Sequence, residues 1–272
     1  MAEPKETFSA ALGRIDEIFR QAVGKKPAVF LDYDGTLTPI VSRPEDAVLD
    51  ASMRQTLRDL AQHCFVAVIS GRDLKDVQNL VGLDDIYYAG SHGFDIAGPR
   101  GQRLSHQSGQ EFLPALDWAE KSLRERLEKQ ISGVQVERKK FAIAVHHRRV
   151  EADRVMEVEK VVDQVQAENN RLRKSTGKKI FELQPNIDWD KGKALLWLLD
   201  QLGLDRPDVI PFYLGDDVTD EDAFQVLQNR GIGIAVQEEA APTAARYRLR
   251  NPEEVQQFLK ALITFVEESA RE

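Results

Sequence analysis

Residues 28–39 read Ala28-Val29-Phe30-Leu31-Asp32-Tyr33-Asp34-Gly35-Thr36-Leu37-Thr38-Pro39. The opening apolar run is short and lacks polar alternation, the pattern of a strand covered on both faces, and it stops abruptly at Asp32-Tyr33-Asp34-Gly35. Working outward, residues 50–62 read as a helix, 65–69 as a second buried strand and 73–81 as a second helix. Ile86-Tyr87-Tyr88-Ala89 is a third strand and leads into Gly90-Ser91-His92-Gly93. This alternation predicts an α/β fold, a doubly wound Rossmann-like parallel sheet with right-handed crossovers. Such sheets bind ligands beyond the C-terminal ends of their strands. Three of those ends carry Asp32-x-Asp34-Gly35, Ser70-Gly71-Arg72 and Ser91-His92-Gly93.

The pattern changes after about residue 100. Residues 109–130 read as a long helix, 133–147 as two alternating strands around Arg138-Lys139-Lys140, and 151–170 as an amphipathic helix. Two short strands near 171–175 and 179–183 flank Thr176-Gly177. These elements predict an inserted α+β unit at 108–185, leaving 1–107 and 186–272 as a discontinuous core. After Pro185-Asn186, 191–202 is helical, and Ile210-Pro211-Phe212-Tyr213-Leu214 is a strand ending in Gly215-Asp216-Asp217. A helix at 219–229, a strand at 231–236 and a helix at 252–268 complete the alternation. Upstream, Phe8, Ala11, Leu12, Ile15, Ile18, Phe19 and Val23 recur at helical spacing, predicting an amphipathic leader helix over 5–23, within residues 1–25.

With 272 residues, 42% of them hydrophobic, the chain can bury a substantial core. Its 37 basic against 45 acidic residues leave a net charge of −8, the wrong sign for gripping nucleic acid or an anionic membrane over a broad surface. A phosphorylated ligand would need locally placed cations, a helix N-terminus or a metal. Cys64, the single cysteine, opens an apolar run and reads as a small buried hydrophobe. The N-terminus has no apolar run of signal-peptide length, and no stretch approaches the roughly 18 apolar residues of a membrane span. A soluble protein of a reducing, cytoplasmic compartment is expected.

In an extended strand end, residues i and i+2 point the same way, so Asp32 and Asp34 are expected to face one pocket. Two carboxylates there repel unless a cation lies between them or one holds a proton. Hard oxygen ligands without a nearby cysteine favour Mg²⁺ over Zn²⁺. A plain Asp-Gly turn after a strand accounts for the same residues. Gly215-Asp216-Asp217-Val218-Thr219-Asp220-Glu221-Asp222 crowds acids at another strand end. A solvated acidic helix start explains Glu221 and Asp222, whereas Asp216, directly after Phe, Tyr and Leu, fits a metal ligand better. Ser70 and Gly71 at a helix start make a phosphate site or an ordinary capped turn. Lys191 opens a helix, where a cation opposes the dipole, so a bound anion or facing carboxylates explain it, with Lys193 as competitor. His92 is either a loop histidine or a substrate contact.

Asp32-Tyr33-Asp34-Gly35-Thr36, Ile69-Ser70-Gly71-Arg72, the Lys191-Gly192 helix start and Gly215-Asp216-Asp217-x-Thr219-Asp220 occur in the order found in the haloacid dehalogenase superfamily of phosphatases, which the chain resembles. The inserted unit lies where that superfamily places a type C2 cap. Gly90-Ser91-His92-Gly93, Val136-Glu137-Arg138-Lys139 and Pro185-Asn186-x-x-Trp189-Asp190-Lys191-Gly192 narrow the resemblance to trehalose-6-phosphate phosphatases, over about residues 28–240. The resemblance implies Asp32 as nucleophile and Asp34 as general acid, later base. It implies Mg²⁺ held by Asp32, the Asp34 backbone carbonyl and Asp216, supported by Asp220. Ser70, Gly71 and Lys191 would bind the transferring phosphoryl group. Arg72, Ser91, His92, Gly93, Glu137, Lys139 and Glu182 would contact substrate. Where relatives often carry His-Tyr-Arg, this chain reads His146-His147-Arg148.

The expected activity is hydrolysis of trehalose 6-phosphate in trehalose biosynthesis through an aspartyl phosphate. The same chemistry on sucrose 6-phosphate or a glycosylglycerol phosphate, a sugar phosphomutase, and a non-catalytic phosphosugar-binding regulator are the alternatives. A pure binder has no use for a nucleophile beside an acid, which disfavours the last. The expected partner is a small sugar phosphate, with no nucleic acid and no membrane; the sequence leaves the oligomeric state open and is compatible with a monomer.

Overall fold

A computed structural model describes residues 9–41, 43–104, 107–177 and 179–271. The chain divides into two compact units, Met1–Leu104 with Trp189–Glu272, and Ser105–Asp188.

The first unit is built on one sheet. Its elements begin with β1 (Ser9–Ala10), α1 (Ile15–Arg20), β2 (Lys26–Leu31), α2 (Ala51–His63), β3 (Phe65–Ile69), α3 (Leu74–Val81), β4 (Tyr87–Gly90), β5 (Asp95–Ala97) and β6 (Arg103–Leu104). The second unit contributes α4 (Leu113–Leu123), β7 (Gln135–Lys139), β8 (Ala142–His146), α5 (Val155–Ala167), β9 (Leu172–Gly177) and β10 (Ile180–Pro185). The chain then re-enters the first unit through α6 (Lys191–Gln201), β11 (Val209–Gly215), α7 (Glu221–Leu227), β12 (Ile232–Val236), β13 (Tyr247–Leu249) and α8 (Pro252–Ser269).

Among the described residues the large sheet runs β1-β13-β12-β11-β2-β3-β4-β5-β6. Every pairing from β1 to β4 is parallel. Successive side chains alternate faces, so Val29 and Leu31 join Phe212 and Leu214 in a core roofed by α2 and α8, while Ala28, Phe30 and Tyr213 face α6 and α7. Burial on both faces explains why these strands are continuous apolar runs. The strand order reverses between β2 and β11, which places a crevice at their C-terminal ends.

Three features depart from expectation. First, the sheet is not wholly parallel: β5 and β6 add an antiparallel edge beside β4, too short to show a periodicity in sequence. Second, the leader is not one helix over 5–23. Residues 1–8 lie outside the described residues, Ser9–Ala10 pairs as an edge strand with Tyr247 and Arg248, and α1 spans only Ile15–Arg20. Third, Val23, expected on the apolar face of the leader, is exposed, while Phe19 packs on the core as expected, stacked on Phe265 and buried beside Phe258. Tyr247 pins α1 by donating to Glu17 at 2.9 Å and accepting from Gln21 at 3.0 Å.

The second unit is a four-stranded antiparallel sheet, β7-β8-β10-β9, with α4 and α5 burying Val136, Ile143, Val145, Phe181 and Leu183 on one face. The long helix expected at 109–130 is instead a 3-10 turn, α4 and a π turn at Arg124–Glu128. Among the described residues, no helix is long and apolar enough to cross a membrane.

Candidate active site

Asp32 directly follows β2, and its N–H donates to the Leu214 carbonyl of β11 at 2.9 Å. This bond carries the strand pairing one residue past the β2/β11 register and fixes Asp32 at the reversal point. Its buried carboxylate accepts at Oδ1 from Lys191 Nζ at 2.8 Å, and the same ammonium donates to Asp220 Oδ1 at 2.7 Å. Asp220 accepts from two further donors. Tyr213 Oη donates to its Oδ1 at 2.5 Å and the Asp217 N–H donates to its Oδ2 at 2.9 Å. Lys191 is thus turned against the helix dipole by two carboxylates. Lys193 instead pairs with Asp190 at 2.9 Å.

Asp32, Asp216 and Asp220 each offer a carboxylate oxygen, and these atoms lie within 4.8 Å of one another. Burial pushes the Asp32 carboxyl up to about 7, with Lys191 pulling against it and Asp220 adding to it. Burial and then the Asp32 charge push Asp216 up to about 9. Burial works against the Lys191 ammonium, but Asp220 and Asp32 outweigh it and hold its pKa above the ordinary lysine value. Three crowded carboxylates with one ammonium leave excess negative charge, which adds to burial in raising the Asp32 and Asp216 carboxyls. An oxygen-only, anionic donor set of this size fits a hard divalent cation. Asp220 also accepts from three donors, among them Lys191.

Asp34 takes different partners. Arg72 Nε donates to its Oδ2 at 2.7 Å and Nη2 donates to its Oδ1 at 2.8 Å. The Asp34 side chain therefore stands outside the Asp32–Asp216–Asp220 group, although Asp32 feels its charge. Gly35 follows at φ +78, and a Cβ there would run into the Asp216 carboxylate, so only glycine lets the turn approach β11.

At the end of β3, Ser70 is buried and its Oγ accepts from the Arg72 N–H at 3.1 Å. The Ser91-His92-Gly93 turn after β4 is braced against this loop. The Ser91 N–H donates to the Arg72 carbonyl at 2.7 Å, the His92 N–H to the Ser70 carbonyl at 2.9 Å, and Ser91 Oγ to Asp73 at 3.0 Å. Ser91 and His92 both have positive φ, 50° and 57°, and Gly93 follows at 94°. Two consecutive left-handed non-glycine residues are costly and persist where surroundings over-determine them. Here they lay the His92 ring on Gly71, where a Cβ would stand 2.8 Å from the ring.

In the second unit, Glu137, Lys139 and Glu182 lie on the sheet face opposite the two helices. Lys139 donates to Glu182 at 2.8 Å, and the His146 ring lies 2.7 Å from Glu137. The His146 contact, reinforced by Lys139, holds the Glu137 carboxyl below its usual range against burial. His147 points the other way, stacked on buried Phe181 with centroids 4.6 Å apart. Burial and Lys179 lower its pKa.

Sequence reading missed Tyr213, Asp76 and His146. Tyr213 hides inside an apolar strand, although its phase puts it on the Lys191 side. Asp76, in the first turn of α3, accepts from Arg72 in the loop before the helix, so no helical spacing announces the pair. His146 faces Glu137 across the β7/β8 hairpin.

A mainly parallel sheet with a buried carboxylate, an adjoining acid cluster and a lysine at its reversal point defines a haloacid-dehalogenase-type hydrolase fold. The trehalose-phosphatase family model matches residues 30–253. The chain is 42% identical over 267 residues to trehalose-phosphate phosphatase B of Arabidopsis thaliana, covering 94% of this chain and 71% of that one. It is also 42% identical to trehalose 6-phosphate phosphatase RA3 of Zea mays over 272 residues, covering 94% and 75%. The solved trehalose-6-phosphate phosphatase of Aspergillus fumigatus superposes with a TM-score of 0.66 at 26% identity, covering 95% of this chain and 99% of that one. The chain belongs to the trehalose-phosphatase family.

Proposed function

We propose that the protein hydrolyses trehalose 6-phosphate to trehalose and inorganic phosphate, in trehalose biosynthesis, through an aspartyl phosphate on Asp32. The observation that carries this reading is the buried Lys191–Asp32 contact beside Asp216 and Asp220. Lys191 holds Oδ1 of Asp32 and leaves Oδ2 to attack phosphorus in line, forming the Asp32 O–P bond as the sugar O–P bond breaks. Asp34 gives its proton to the departing sugar oxygen, then takes one from the water that cleaves the acyl phosphate. Ser70, Gly71 and the Lys191 ammonium neutralise the phosphoryl oxygens. Asp32, the Asp34 carbonyl and Asp216 would hold Mg²⁺, with Asp220 in support, and the ion supplies positive charge between an anionic nucleophile and a phosphate dianion. Glu137, Lys139 and Glu182 would take sugar hydroxyls, with His92, Ser91 and Gly93 contacting substrate from the core.

Several features support this assignment: family membership, relatives bearing the same activity in their names, and a carboxylate set suited to a hard cation. The reading includes a cytoplasmic, reducing compartment, where Cys64, half-buried against the core rather than fully buried as expected, stays a thiol, its pKa pushed up to about 12 by desolvation. The test is phosphate release from a panel of mono- and disaccharide phosphates with Mg²⁺ and with EDTA. Release restricted to trehalose 6-phosphate and abolished by EDTA is expected. Preference for sucrose 6-phosphate or a glycosylglycerol phosphate would reassign the substrate. Undiminished turnover in EDTA would remove the metal.

A further inference from the structure

The guanidinium of Arg72 carries five N–H groups. Nε and Nη2 donate to the two oxygens of Asp34, Nη2 also donates to the Pro44 carbonyl at 2.9 Å, and Nη1 donates to Asp76 at 2.9 Å. Four of the five are committed. The cation also lies over the Tyr33 ring, 5.4 Å from its centroid, and Tyr33 Oη donates to the Ala47 carbonyl at 2.7 Å, tying down the loop that carries Pro44. The Arg72 side chain is 11% exposed and that of Asp34 41%. In this pair the cation is the anchored, less exposed member and the carboxylate leans on it.

We propose that Arg72 is a positioning residue for Asp34 and not a clamp on the phosphoryl group. Its fork sets both Asp34 oxygens in one plane, so the proton delivered to the sugar oxygen departs from a fixed place. The role rests on Asp34 as general acid. A bidentate guanidinium fixes two oxygens at once, whereas an ammonium fixes one, so lysine cannot substitute. One of the two bonds opens when Asp34, 41% exposed, takes a proton from solvent on that oxygen and turns it to the leaving group. Asp76 and the Pro44 carbonyl keep the fork in place meanwhile. As the sugar O–P bond breaks, the Asp34 proton passes to the sugar oxygen and the carboxylate returns to both donors of the fork.

The test uses the full chain with Mg²⁺ and two substrates, trehalose 6-phosphate and p-nitrophenyl phosphate. Nitrophenolate leaves without needing a proton, so kcat/KM on the aryl ester bypasses Asp34 in the first step. Arg72→Lys is expected to lower kcat/KM about 100-fold on the sugar phosphate and less than about 5-fold on the aryl ester. Asp76→Asn, at a half-exposed anchor, shows the same selectivity at smaller amplitude and serves if Arg72→Lys folds poorly. Equal losses on both substrates overturn the proposal, because a phosphoryl clamp touches both alike. Asp34→Asn run alongside separates the two readings. If it is selective and the Arg72 and Asp76 variants are not, the positioning role alone falls. If Asp34→Asn is itself unselective, the general acid falls and the positioning role with it.

Discussion

Lys191 Nζ lies 2.8 Å from Asp32 and 2.7 Å from Asp220, with all three side chains buried. One ammonium thereby links the end of β2 to the turn after β11. Breaking a buried ion pair from one side leaves the partner charge uncompensated, at a cost of about 3–5 kcal/mol. Lys191→Met should lose turnover and also lose stability of that order in urea unfolding with EDTA present. Parent-like stability in EDTA would show that the ammonium does not hold the core together.

The raised pKa values of Asp32 and Asp216 set the sign of a pH dependence. Each folded carboxyl keeps its proton at pH values where the unfolded chain has lost it, so the folded state binds more protons. Their contribution to stability is complete below the unfolded carboxyl value near 3.8 and is lost progressively as pH rises toward about 7 for Asp32 and about 9 for Asp216. Metal-free protein should therefore show a falling thermal midpoint between pH 6 and 9. Asp216→Asn should flatten that fall, and the increment given by Mg²⁺ should grow with pH. A midpoint that rises over this range in EDTA would contradict the crowding.

Gly35 tests the approach of the first turn to β11. Gly35→Ala combines a left-handed backbone with a Cβ in the space of the Asp216 carboxylate. Activity should fall by at least about 100-fold, and the Mg²⁺-induced rise in thermal midpoint should shrink, with the circular-dichroism spectrum unchanged. Retained metal-induced stabilisation would mean that the contact is dispensable.

The second unit bears on discrimination. Glu137→Ala should raise KM for trehalose 6-phosphate far more than it affects p-nitrophenyl phosphate. His146→Gln should do the same more weakly, because His146 orients Glu137. Parallel losses on both substrates would move these residues out of sugar recognition.

Much of the site was legible because a parallel sheet delivers all its C-terminal strand ends to one edge. Asp32, Ser70 and Asp216 could be gathered there from apolar runs alone, and Lys191 stood out by opposing its helix dipole. Side-chain direction was not legible. Asp32 and Asp34 share a phase, yet one carboxylate pairs with Lys191 and the other with Arg72, a choice made by tertiary neighbours. Nor could three-residue strands announce themselves: β5 and β13 are shorter than any periodicity window, and Ser9–Ala10 is a two-residue edge strand paired with β13.

The position of β2 between β3 and β11 also matters while the chain is being made. A nascent polypeptide that has left the ribosome as far as residue 190 already owns β2, β3 and β4, but the flank of β2 that β11 will occupy remains an open ladder of unpaired backbone groups beside Val29, Phe30 and Leu31. Such an edge invites pairing with another chain until β11 covers it. Translation of β11 both seals the ladder and brings Asp216 and Asp220 to Asp32, so the chain gains its protection and its chemistry in the same step.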